Sequence, residues 1–157
     1  METRYRGTAI VMTDKGILLG KETTDGRYSL IGGQCNYVNG KRESRENAAI
    51  RELNEETGLE AVLTKELGEV ITLNGNIQTN HKLYLIKAKG KLKMTSKYTA
   101  KSNTTELFNL GFFNINYLNQ PDTAKYQGHV YACLKNYINE CNNGLDWKNF
   151  KSNINFN

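Results

Sequence analysis

The spacing of apolar residues along this chain switches between two periods, and the switches mark its elements. Residues 6–13 (RGTAIVMT) and 17–21 (ILLGK) are apolar, β-branched runs around Asp14, Lys15 and Gly16. That composition predicts a β-hairpin, and residues 27–31 read as another short strand. From Ser44 the period lengthens: Ala49, Ile50, Leu53 and Thr57 fall on one side of a helix. Ser44 is a good N-cap, the stretch to Thr57 lacks Pro and Gly, and Gly58 is placed to end it, so residues 44–57 predict a helix. Runs 61–73 and 77–88 flank Asn74, Gly75 and Asn76, a second hairpin signal, and residues 107–113 supply a further strand. After Pro121, the residues Val130, Cys133, Leu134, Tyr137, Ile138 and Cys141 recur at helical spacing and predict an amphipathic helix over about 123–140. A hairpin-rich mixed sheet with one helix after the third strand and one near the C-terminus fits an α/β sandwich.

At 157 residues, 38% hydrophobic and 24% charged, the chain suits one domain over residues 1–157. Residues 142–157 are a possible C-terminal tail whose Trp147, Phe150, Ile154 and Phe156 suit docking on the domain or on a partner. No apolar run reaches the length of a signal peptide or membrane span, which predicts a cytoplasmic protein without membrane association. Cys35, Cys133 and Cys141 are odd in number and lack metal-ligand spacing, so free thiols are expected. The net charge of +5 is uneven: residues 70–105 hold no acid but carry lysines at 82, 87, 89, 91, 93, 97 and 101. Such a stretch attracts polyphosphate or nucleic acid. Lysines alternating with apolar residues are more often the wet face of strands, and that reading is favoured over a nucleic-acid partner. Nothing here sets an oligomeric state.

The first predicted helix carries the chemistry. Glu52, Glu55 and Glu56 share the face opposite its apolar side, and Glu52 and Glu56 are like charges four residues apart, an arrangement that destabilises an isolated helix. Mg²⁺, or Mn²⁺ in its place, takes such oxygen ligands and is commonly shared with substrate phosphates. The alternative is a solvated acidic face.

The stretch ESRENAAIRELNEETGL resembles the signature of the Nudix hydrolase superfamily, G-x5-E-x7-R-E-U-x-E-E-x-G-U with U bulky and apolar. Glu43, Arg51, Glu52, Leu53, Glu55, Glu56, Gly58 and Leu59 all fall in register. The first glycine departs from the pattern: Tyr37 occupies its place, and Gly32-Gly33 lies four residues too far upstream, so the loop from Gln34 to Arg42 is longer. The resemblance implies a Nudix-type α/β/α sandwich and hydrolysis of a phosphoanhydride in a nucleoside diphosphate-linked molecule. It makes Glu52, Glu55 and Glu56 the metal ligands, Glu43 a supporting carboxylate and Arg51 an orienting partner. The general base is then Glu52 or Glu106, and Gly33 belongs to the substrate-binding glycine pair. Asn119-Gln120-Pro121 is similar to the Asn-x-Pro by which MutT-type members place an asparagine on a purine, which makes Asn119 and Asp122 candidate base contacts; a plain turn is the alternative. The substrate implied first is a nucleoside triphosphate, with oxidised purine triphosphates included. A nucleotide sugar, ADP-ribose or an RNA 5′ end comes next, and a non-catalytic nucleotide sensor is the third reading. His81 and His129 have no expected role.

Overall fold

The computed structural model describes residues 1–22, 25–93 and 107–156. In chain order the strands are β1 (Glu2–Ile10), β2 (Met12–Thr13), β3 (Gly16–Glu22), β4 (Tyr28–Gln34), β5 (Tyr37–Val38) and β6 (Lys41–Arg42). Helix α1 (Arg45–Thr57) follows, then β7 (Glu60–Asn74), β8 (Ile77–Lys91), β9 (Leu107–Phe113), α2 (Gly128–Asn142) and β10 (Asn153–Asn155). The main sheet runs β7-β8-β1-β4-β3-β9, with β1 parallel to β8 and the other main pairings antiparallel. It is the mixed sheet expected.

Side-chain alternation sends neighbouring residues to opposite faces of this sheet. Ala9, Val11, Leu18, Ile31 and Ile86 pack with Ala49 and Leu53 of α1. Ile10, Ile17, Leu19, Leu30 and Leu83 pack with Val130, Cys133, Leu134 and Tyr137 of α2. Strands covered on both faces read as continuous apolar runs, which is why residues 6–13 and 17–21 looked as they did. The result is an α/β/α sandwich. Gly7 is where β1 comes closest to α1: a Cβ there would collide with the Arg45 carbonyl and stand 2.9 Å from Ala49 N.

Three elements differ from expectation. Residues 6–13 do not form one arm of a hairpin, because β1 takes β4 on one side and β8 on the other, and only the two residues of β2 turn back onto β3. Helix α2 starts at Gly128 rather than near residue 123. The segment before it is held as a turn by Asp122, whose Oδ1 accepts from Lys125 N at 3.2 Å, and by Tyr126, which bridges to Tyr28. The long loop before α1 is a small hairpin of β5 and β6, turned at Asn39 and Gly40 with positive φ of 53° and 77°.

Two lysines of β8 pair with glutamates of β7: Lys82 meets Glu66 at 3.0 Å and Lys89 meets Glu60 at 4.0 Å. Lys97 and Lys101 lie outside the described residues. The tail docks on its own domain, as β10 runs parallel to β8 and Ser152 Oγ accepts from Ala88 N at 2.9 Å. Cys35, Cys133 and Cys141 are free thiols. No helix among the described residues is long and apolar enough to cross a membrane.

Candidate active site

Helix α1 begins and ends where its caps dictate. Ser44 Oγ accepts from Asn47 N at 3.1 Å, and Gly58 adopts φ 76° to donate its N–H back to Asn54 O at 2.8 Å. With Ala48, Ala49, Leu53 and Thr57 buried, Glu52, Glu55 and Glu56 are left on the side that borders a cleft of about 1450 Å³.

Arg51 organises the acidic face. Its guanidinium donates to Glu43 (Nε–Oε2 3.0 Å), Glu52 Oε1 (2.9 Å), Glu55 Oε2 (3.2 Å) and the Gln34 carbonyl (3.1 Å). Glu43 also accepts from Asn36 N, and the bond from Arg51 holds its carboxyl below the ordinary range. Glu56 is the opposite case. Burial is the main force that pushes its pKa well above the ordinary carboxylate value, and a hydrogen bond with Glu52 and that group's charge add to the rise.

Gly33 earns its place by size. A Cβ there would stand 2.5 Å from Glu52 Oε1, so only glycine lets this carboxylate lie against β4. Among the described residues no three His, Cys, Asp or Glu side chains converge as a ready metal cage, and Arg51 stands among three of the glutamates. The donor chemistry nevertheless suits a hard divalent cation, since two neighbouring carboxylates sharing a hydrogen bond gain from a positive charge between them.

The cleft also collects residues to which the sequence assigned no role. Arg4, Arg6, Arg27, Glu22, Thr72, Thr79, His81 and His129 also line it. The two imidazoles stack with centroids 4.9 Å apart. His81 bonds Thr8 Oγ1 at 3.0 Å and Thr72 Oγ1 at 3.1 Å, and His129 Nε2 accepts the Leu30 N–H at 3.3 Å. Burial, with the charge of Arg6 second, pushes His81 down to about 3 and His129 well below its ordinary value, so both are neutral. No local pattern announces them, because strands β1 and β8 and helix α2 meet only in the folded chain.

Of the residues marked from the sequence, Glu52, Glu55, Glu56 and Gly33 line the cleft, and Glu43 and Arg51 are tied to them. Asn119 and Asp122 are not brought to it. Asn119 is exposed, and Asp122 borders a separate pocket of about 340 Å³, with its N–H bonded to Tyr131 Oη at 2.8 Å. Glu106 lies outside the described residues.

A family model for the NUDIX domain matches residues 3–133. Among solved structures the chain is similar to a MutT Nudix hydrolase from Burkholderia pseudomallei, with 22% identity and a TM-score of 0.62 over 87% of this chain and 98% of that one. A Nudix hydrolase family member from Chromobacterium violaceum shares 27% identity at a TM-score of 0.65, over 92% of this chain and 83% of the other. A MutT protein from Methanosarcina mazei Go1 shares 17% at 0.66, over 89% and 96%. No curated protein matches the chain.

Proposed function

The chain belongs to the Nudix family, hydrolases of pyrophosphate bonds in small nucleotide-containing substrates, and on that premise we propose a Mg²⁺-dependent nucleoside triphosphate pyrophosphohydrolase. It releases nucleoside monophosphate and pyrophosphate. One observation carries the reading: a single cleft is lined by Glu52, Glu55 and Glu56 and also by Arg4, Arg6 and Arg27, so that carboxylates suited to a hard cation share one cavity with guanidinium groups suited to phosphate.

Glu52, Glu55 and Glu56 hold the metal in this reading. When bound, the metal polarises phosphoryl oxygens and makes water a better nucleophile. Arg51 keeps Glu43 and Glu52 in fixed orientations, and Glu52 or Glu106 accepts the proton of the attacking water. Water adds to one phosphorus as the bridging oxygen leaves with the departing phosphate.

The test is incubation with Mg²⁺ and a panel of nucleoside triphosphates, oxidised purine triphosphates, nucleotide sugars, ADP-ribose and 5′-triphosphate RNA, beside a Glu56→Gln control. Pyrophosphate released from a triphosphate by the wild type alone supports the reading; recovery of every nucleotide intact favours a sensor. A nucleotide sugar is the second reading, favoured by size. At about 1450 Å³ the cleft exceeds the roughly 300–1,000 Å³ common for small-molecule sites and leaves room for a second group on the diphosphate.

A further inference from the structure

Gly32 and Gly33 bring side chains of opposite charge to neighbouring backbone positions. A Cβ on Gly33 would meet Glu52, and one on Gly32 would stand 3.1 Å from Arg6 Nε. Arg6 is fixed there by one bond, from an Nη to the Leu30 carbonyl at 2.6 Å, while its buried Nε–H meets no acceptor among the described residues. The other arginines of the cleft differ: Arg4 Nε pairs with Glu2 at 2.8 Å and Arg27 Nε with Asp25 at 3.0 Å.

The surroundings withhold an acceptor from Arg6. Its partner in the β1–β8 register is His81, both of whose ring nitrogens are engaged by Thr8 and Thr72, and His129 Nε2 is taken by Leu30 N. A buried guanidinium donor without an acceptor is costly, and the protein keeps it in a cleft wall. The charge of Arg6 reaches Glu56, where it opposes the rise in that carboxyl's pKa.

We propose that Arg6 binds the diphosphate of the substrate, a phosphoryl oxygen supplying the acceptor that its Nε–H lacks. A guanidinium donates through its Nε and Nη edge to two oxygens of one phosphate, which a base carbonyl does not match. Arg6 and Glu52 lie against adjacent residues of β4, so phosphates held by Arg6 would lie beside the glutamates that would hold a metal. The identity of the substrate rests on the hydrolase reading above; the capture of a diphosphate by Arg6 does not need turnover.

Isothermal titration of the full chain in Mg²⁺ buffer with inorganic pyrophosphate, and with an α,β-imido nucleoside triphosphate, tests this. Arg6→Met is expected to lose about tenfold or more in affinity for both ligands, and Arg4→Met less than about threefold. Without ligand, Arg6→Met should melt at or above the wild-type temperature, because an unsatisfied buried charge is gone; a structural arginine would lower it. Arg6→Lys keeps the charge without the planar fork, is expected to fold, and loses affinity to an intermediate degree, carrying the comparison if the methionine variant fails to fold. The assignment is overturned if the Arg6 variants bind pyrophosphate within about threefold of the wild type. It is equally overturned if only the nucleotide and not pyrophosphate is affected, or if the wild type binds no pyrophosphate. Failure of the hydrolase reading shows separately, as absent turnover with pyrophosphate binding and its Arg6 dependence intact.

Discussion

Desolvation of its carboxyl, with Glu52 beside it, raises the pKa of Glu56, and this sets a sign that melting experiments read. A carboxyl whose folded pKa lies above the unfolded value near 4.5 leaves the folded protein short of stability as pH rises through that window. In EDTA at neutral pH, Glu56→Gln should therefore melt above the wild type, by about 2–4 °C for each kcal/mol released. Added Mg²⁺ should stabilise the wild type and leave the variant unmoved; a variant that melts lower in EDTA would sink the argument. Gly33 makes the complementary case. Gly33→Ala puts a methyl 2.5 Å from Glu52 Oε1, so turnover should fall by about tenfold or more while the melting temperature drops only slightly, the flexible end of Glu52 being what moves.

At the scale of elements, the extra length before α1 has a simple reading. Asn36 and Glu43 face each other across its base, Glu43 N donating to Asn36 O at 2.6 Å and Asn36 N to Glu43 Oε1 at 3.1 Å. Between them stand residues 37–42, with Tyr37 and Val38 exposed. Replacing those residues by Asn-Gly leaves a two-residue turn across the same pairing, so turnover on whichever substrate the panel identifies should stay within about threefold of the wild type. A large loss would assign the hairpin to substrate contact. The sequence showed this segment only as a longer loop, and it did not show the split of residues 6–13 into β1 and β2: that break depends on β4 and β8 pairing with the two edges of β1.

For the molecule as a whole, the stacked histidines make folding sensitive to acid. The unfolded chain takes up protons near pH 6.5, and the folded chain resists until about pH 3 at His81 and lower than usual at His129. This contribution is complete above pH 6.5 and is lost as pH falls from there through about 3. Glu56 acts with the opposite sign, so the comparison belongs in a Glu56→Gln background, where adding His81→Gln should flatten the acid limb of a stability-against-pH curve. An unchanged slope would show that the imidazole is not what titrates. The tail is the second global feature. Deleting residues 146–157 uncovers the β8 edge at Ala88–Lys91 and removes the Phe156 ring from Phe112, 5.5 Å between centroids, and is expected to cost about 1–3 kcal/mol in urea unfolding.

By itself the sequence determined the elements whose signals are local: helix α1 with its Ser44 and Gly58 caps, the β7–β8 hairpin at Gly75, and the apolar stripe of α2. It also determined which glutamates share a face, because helical spacing alone decides that. Tertiary structure decided the rest: the parallel seating of β1 on β8, the docking of the tail, and the placing of Asn119 and Asp122 away from the cleft. It also decided what else lines that cleft. Arg6, His81 and His129 come from three elements far apart in the chain, and the lowered pKa values of the two imidazoles follow from burial and from the charge of Arg6, which no local pattern encodes.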